Sequence, residues 1–199
     1  MTGKSKTVIL GSGISGVGVA KLAQKKGLDV FLSDSKNIKP ETKKILTDLG
    51  VIYEEFGHTE NLIKDSNEIV ISPGIDLKSL IKSKPLLLNK NVISEIEFAS
   101  RHTNAFIIAV TGTNGKTTTS KLIYHILKNS GFNVGLAGNI GYSFSGSIAE
   151  NQFDYYVVEV SSFQLDHILN FRPDISVITN ITPDHLDRYD NKLENYINA

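Results

Sequence analysis

Three features of the 199-residue sequence predict an α/β fold built on mainly parallel sheets. Short apolar runs alternate with segments of i, i+3, i+4 apolar spacing along the whole chain. Several runs, FIIAVT (106–111) and YYVVEV (155–160) among them, are continuously apolar, as strands covered on both faces are. Two runs also pass directly into glycine loops followed by helical spacing, the strand–loop–helix order of nucleotide-binding units.

The first strand is expected over Thr7–Leu10, where Val8, Ile9 and Leu10 enter a loop with glycines at Gly11, Gly13 and Gly16. Helical spacing follows over Val17–Lys26, and a second strand, Val30–Ser33, ends at Asp34. Spacing alone makes this a dinucleotide fingerprint of the Rossmann type, with an acid about 20 residues on for a ribose hydroxyl. An NAD-dependent oxidoreductase is the first function it suggests. A helix over Pro40–Leu49 and strands over Val51–Glu54, Glu68–Ile71 and Asn91–Ile93 complete a first series, and Glu95–His102 has helical spacing. The polar run at 99–104 (Ala-Ser-Arg-His-Thr-Asn) marks the expected boundary. Residues 1–100 then form a Rossmann-like domain and residues 101–199 a second α/β domain. One long doubly wound sheet is the alternative.

The second series starts with a strand over Ala105–Thr111 that runs into Gly112-Thr113-Asn114-Gly115-Lys116-Thr117. An amphipathic helix over Thr117–Asn129 carries Leu122, Ile123, Ile126 and Leu127. Strands over Val134–Ala137, Tyr155–Val160 and Ile175–Thr179 follow, with a closing helix over Lys192–Ala199. This loop suits phosphate chemistry: backbone N–H groups and a helix N-terminus face the anion, Lys116 neutralises β/γ oxygens, and the Thr117 hydroxyl sits on Mg²⁺. The usual G-x-x-x-x-G-K-[ST] spacing wants glycine where Val110 stands, so Gly112 makes the turn in a shorter P-loop variant.

Bulk properties narrow the partners. Lys+Arg and Asp+Glu are both 21, so the net charge is zero and nothing favours nucleic acid or an anionic membrane surface. The absence of cysteine excludes disulfides, thiolate metal sites and a cysteine nucleophile. No apolar stretch approaches the roughly 20 residues that span a bilayer, and Met1–Lys6 is too polar for a signal peptide. A cytoplasmic protein is expected, with no membrane insertion.

Three later stretches place polar groups at the carboxyl ends of apolar strands, where open α/β sheets bind ligands. Asn139 lies between glycines in GNIG (138–141), fit for close approach to a phosphate or sugar. Glu159 falls late in a buried strand, so it needs a cation or a hydrogen-bond network, and Mg²⁺ is the economical partner beside a triphosphate loop. His185, in Pro183-Asp184-His185-Leu186-Asp187-Arg188, is placed to bind a metal, contact a substrate anion or cap the following helix.

GTNGKTT (112–118), GNIG (138–141), EVSSFQL (159–165) and TNITPDHLDRY (179–189), in this order, resemble the Mur ligases of peptidoglycan synthesis. Those are ATP-dependent amino-acid ligases that extend a UDP-sugar peptide. Within the family, SSFQL and ISPGI (71–75) are most similar to the branch that joins D-glutamate to UDP-N-acetylmuramoyl-L-alanine. The resemblance implies ATP and Mg²⁺ as cofactors and an acyl-phosphate intermediate. It assigns Gly112, Thr113, Asn114, Gly115, Lys116, Thr117 and Thr118 to ATP, Thr117 and Glu159 to the first metal, and His185 to a second. Asn139 matches an asparagine near the UDP-sugar. Gly13, Ile14, Ser15, Asp34 and Ser35 fall where such enzymes hold the uracil nucleotide, with Ser72-Pro73-Gly74 beside them. Lys36 stands where some relatives carry arginine.

The resemblance further implies a carbamylated lysine about four helical turns beyond His185, just past Ala199, and a C-terminal amino-acid-binding domain. On that reading the chain corresponds to the amino-terminal part of such an enzyme, monomeric and inactive alone. Mur ligases adding L-alanine, diaminopimelate or lysine are the near alternatives. A non-enzymatic nucleotide switch and the oxidoreductase are the distant ones.

Overall fold

The computed structural model describes residues 6–199; Met1–Ser5, part of the polar stretch considered above as a signal peptide, lies outside the described residues. The first half runs β1 (Lys6–Leu10), α1 (Ile14–Lys25), β2 (Asp29–Ser33), α2 (Pro40–Asp48), β3 (Ile52–Glu54), α3 (Glu60–Lys64), β4 (Glu68–Ile71), α4 (Leu77–Ser83), β5 (Val92–Ser94) and α5 (Glu95–Ser100). The second runs β6 (Phe106–Thr111), α6 (Lys116–Asn129), β7 (Val134–Gly138), α7 (Phe144–Glu150), β8 (Tyr155–Glu159), α8 (Ser162–Leu165), β9 (Ile175–Ile178) and α9 (Leu193–Ile197). Among the described residues, nine strands form two all-parallel sheets, of order β3-β2-β1-β4-β5 and β7-β8-β6-β9.

Alternation along β1 explains its uninterrupted apolar sequence. Ile9 faces one core with Val19, Leu22 and Ala23 of α1. Val8 and Leu10 face the opposite core with Ile63, Ile69 and Ile71. All three are fully buried. The last strand departs from this pattern: β9 is an edge of its sheet, and Ile175 and Ile178 remain exposed.

The two sheets share packing. One apolar cluster extends from Ile9 and Leu32 through Phe144 and Ile148 of α7 to Tyr156 of β8. Helices α1 and α7 cross at Gly18, where a Cβ would collide with the Ser143 hydroxyl and lie 2.9 Å from Gly146 N. Lys21 closes the contact with a 2.5 Å ion pair to Glu150. Between the sheets, α5 is buried rather than solvated: the Glu97 carboxylate accepts from the backbone N–H groups of Leu169, Asn170 and Phe171 at 2.7–2.9 Å, and from Arg101 Nε at 2.9 Å.

In each sheet the chain reverses its direction of winding at one point, between β1 and β4 in the first and between β6 and β8 in the second. Crevices at such switch points, beyond the strands' carboxyl ends, are where open α/β sheets hold ligands. Both glycine loops end there.

Candidate functional site

The second glycine loop departs from β6 through Gly112 at φ +129° and reaches α6 through Gly115 at φ +83°. A side chain at Gly112 would strike the Thr179 hydroxyl and the Asn180 carbonyl, so only glycine passes. Helix geometry leaves the first-turn N–H groups of Lys116, Thr117 and Thr118 without intrahelical acceptors. The Lys116 ammonium donates to Gly112 O at 2.6 Å and Thr113 O at 2.8 Å, arching over the loop.

A collar from the segment after β9 fixes the loop's outer side. Thr113 N donates to Asn180 O at 2.9 Å, Asn114 N to Asn180 Oδ1 at 3.0 Å, and the Thr179 hydroxyl to Asn114 O at 2.7 Å. Thr182 N donates to the Thr113 hydroxyl at 3.0 Å. Thr179 and Asn180 were not singled out from the sequence, although they open the TNIT run. Polar side chains directly after an apolar strand were the available signal.

Glu159 closes the inner side. Its carboxylate is 1% exposed at the end of β8. The Thr117 hydroxyl donates to Oε2 at 2.7 Å and the Asn139 amide to Oε1 at 2.9 Å, while Asn139 N donates to Glu159 O at 2.8 Å. The structure therefore brings together Thr117, Glu159 and Asn139, residues 42 and 20 positions apart along the chain. A hydroxyl and a carboxylate at a helix N-terminus form an oxygen donor set of the kind hard divalent cations select.

His185 stands apart from that cluster, with a left-handed backbone (φ +50°) and a largely exposed ring. Its ring packs on Phe163 of α8, centroids 5.1 Å apart, and the Arg188 guanidinium lies 4.6 Å from the same ring. Because α8 follows β8 directly, Phe163 ties the His185 loop to the strand that carries Glu159.

At the first glycine loop, Gly11 adopts φ +101° and Gly11 N donates to Ser33 O at 2.8 Å. Asp34 Oδ2 accepts from Ser12 N at 2.7 Å and the Ser12 hydroxyl at 2.6 Å, and Oδ1 from Lys36 N at 2.8 Å. Burial alone would raise the Asp34 pKa, but the Ser12 hydroxyl and the Lys36 and Ser12 N–H groups outweigh it and hold the carboxyl below its ordinary value. Ser12, Gly13, Ile14, Asp34 and Lys36 line a cleft of about 470 Å³, whose far wall comes from Tyr142 and Ser143 at the start of α7. Ser15, Ser35 and Gly74 do not line it. The Gly74 loop instead backs the glycine turn, with Ser72 N donating to Leu10 O at 2.9 Å.

Behind Asp34, the Ser33 hydroxyl lies 2.7 Å from Glu54 Oε1 and 2.6 Å from His58 Nδ1. Burial lowers the pKa of His58 below its ordinary value, against the opposing charges of Glu54 and Asp34. Among the described residues no helix is long and apolar enough to cross a membrane.

Comparison with known proteins gives the same answer from both halves. The family model described as the MurD N-terminal domain matches residues 6–81, and that of the Mur ligase middle domain matches residues 110–199. The chain is 54% identical over 199 residues to the UDP-N-acetylmuramoylalanine–D-glutamate ligase of Bacteroides fragilis, covering 98% of this chain and 44% of that protein. It is 48% identical over 196 residues to the enzyme of the same name from Porphyromonas gingivalis, with the same coverage. The chain thus spans less than half the length of these relatives. Among solved structures, the UDP-N-acetylmuramate–alanine ligase of Thermotoga maritima matches with a TM-score of 0.59 at 22% identity, over 97% of this chain and 45% of that one, a likeness of fold.

Proposed function

The chain belongs to the Mur ligase family, and from that premise we propose that it forms the UDP-substrate-binding and ATP-binding parts of an ATP-dependent ligase that adds D-glutamate to UDP-N-acetylmuramoyl-L-alanine. In this reading residues 1–100 bind the UDP-sugar and residues 101–199 bind ATP, in a monomeric cytoplasmic enzyme. The observation that carries it is the buried Glu159 carboxylate hydrogen-bonded to Thr117 at the mouth of a lysine-bearing glycine loop.

A carboxylate is a poor acyl donor and must be activated. In the proposed reaction the alanine carboxylate of the substrate attacks the γ-phosphate of ATP, giving an acyl phosphate and ADP. The D-glutamate amine then displaces phosphate to form the amide. Two anions meet in the first step, so the protein's task is neutralisation and alignment. Lys116 leaves its loop carbonyls to reach the β/γ oxygens, and the first-turn N–H groups of α6 hold the phosphates. Thr117 and Glu159 fit Mg²⁺, which when bound contributes positive charge at the transferring phosphoryl group. Asn139 orients Glu159 and borders the substrate, and His185 is assigned to a second metal. Gly13, Ile14, Ser15, Asp34, Ser35 and Gly74 are assigned to the uridine nucleotide.

Calorimetric titration of the chain with MgATP and with UDP-N-acetylmuramoyl-L-alanine tests this. Both ligands bind the wild type. Lys116→Ala weakens MgATP by about tenfold or more, as loss of a charge-assisted phosphate contact does, and leaves the UDP-sugar unaffected. A melting temperature raised by NADH and not by the UDP-sugar would refute the proposal in favour of an oxidoreductase.

A further inference from the structure

The loop between β7 and α7 touches both candidate sites. At its start Asn139 binds Glu159 through main chain and side chain, at 2.8 and 2.9 Å. Gly138 N donates to Tyr142 O at 2.9 Å, closing the loop on itself. At its end Ser143 caps α7 by accepting from Gly146 N at 3.1 Å. There α7 meets α1 backbone to backbone: a Cβ at Gly146 would lie 3.6 Å from Gly18 Cα, and one at Gly18 would collide with Ser143. Residues 138–143 are therefore pinned at the metal-type carboxylate on one side and at the first domain's leading helix on the other.

Tyr142 is the large side chain this arrangement delivers. It is 66% exposed and borders both the 470 Å³ cleft and a neighbouring cavity of about 910 Å³, while Ile14, 72% exposed, enters the 470 Å³ cleft from α1. Single exposed apolar residues are ordinary on protein surfaces. Two of them lining one cleft, beside the glycine loop that opens α1, form a slot for a flat ring. An aromatic face contributes most where it can lie against another π system.

We propose that Tyr142 is a specificity-determining residue that packs against the base of the acceptor nucleotide, so that the second domain holds the nucleoside bound by the first. This rests on the reading of the cleft as the UDP-substrate site. The base contact is made by the same short loop that orients Glu159, which gives occupancy of the acceptor site a direct path to the ATP site.

Titration of the 199-residue chain with UDP, and with ADP as comparator, tests it. Tyr142→Ala weakens UDP by on the order of tenfold, the scale of one base–aromatic contact, while Tyr142→Phe stays within about twofold of wild type. The chain contains no tryptophan, so Tyr142→Trp installs a sole indole whose emission UDP quenches saturably and ADP does not at the same concentrations. UDP binding by wild type with an unchanged Kd in Tyr142→Ala, or an indole signal indifferent to UDP, overturns the inference and leaves the substrate assignment standing. Failure of wild type to bind UDP at all overturns the assignment itself.

Discussion

Glu95 →Gln is expected to stabilise the protein at alkaline pH and to leave it unchanged in acid. Glu95 opens α5 with its carboxyl 1% exposed, buried against α7. Ser145 N donates to Oε1, while Oε2 has no donor among the described residues. Burial pushes the carboxyl up from 4.5 to about 7, with hydrogen bonding from Ser145 opposing incompletely. Between these values the unfolded chain has released a proton that the folded chain keeps, so stability falls as pH rises through that window and stays reduced above it. The span of about 2.5 units, at 1.36 kcal/mol each, costs about 3 kcal/mol above pH 7. Glutamine cannot ionise, and its carbonyl still accepts from Ser145 N. Thermal unfolding at pH 4 should give similar midpoints for the two proteins. At pH 8 the variant should melt about 6–12 °C higher, at roughly 2–4 °C per kcal/mol for a chain of this size. Parallel pH profiles for the two proteins would show that Glu95 does not titrate between pH 4.5 and 7, and the reasoning would fail.

Glu97 gives the opposite sign. Burial alone would raise its pKa, but the N–H groups of Leu169, Asn170 and Phe171 and the Arg101 side chain outweigh it and lower it. Its contribution is therefore present above the ordinary Glu value of 4.5 and lost as pH falls below it. Glu97→Ala strands three backbone donors and should cost about 3 kcal/mol or more at pH 7 by chemical denaturation; a loss under about 1 kcal/mol would mean the 169–171 turn re-pairs without it. Gly112→Ala forces a Cβ onto Thr179 and Asn180 at a positive φ. It should abolish MgATP binding in calorimetry while the fold survives by circular dichroism, and retention of wild-type affinity would show that the loop has another route past the collar.

The strands were legible because each core strand is apolar on both faces, a signal that survives without knowledge of its neighbours. Helix α6 was legible because its 14 residues complete nearly four turns. Helices α3, α4, α7 and α8 run four to seven residues, too few for a 3.6-residue period to declare itself. Their order comes from tertiary contact, as with α7 against α1. The acids of α5 illustrate the same limit. Helical spacing over 95–102 says nothing of the burial of Glu95 and Glu97, which depends on segments 50 and more than 70 residues away. For Glu159 the sequence was more informative, because a carboxylate inside YYVVEV is costly wherever the chain goes. The need for a partner was readable; that Thr117 and Asn139 both donate to it was not.

The first glycine loop shows why spacing alone named the wrong detail first. G-x-G-x-x-G reports a turn tight enough for a helix to start beside a strand, and Gly11 at φ +101° with Gly16 pressed on Gly11 O satisfies that geometry whatever the ligand. The acid that follows was read for a ribose hydroxyl on spacing alone, and for the uracil nucleotide by resemblance. In the structure Asp34 already accepts three hydrogen bonds from Ser12 and Lys36. An ionised carboxylate offers roughly four acceptor positions, so little capacity remains to grade one sugar against another. Asp34 holds the loop in shape, much as Thr179 and Asn180 hold the second one. In the proposed substrate site Asp34 contributes its remaining acceptor position, and further selection among nucleotides comes from groups around the cleft whose capacity is not consumed within the fold. Lys36, Ile14 and Tyr142 meet that condition, and Tyr142 is the one supplied by the second half of the chain.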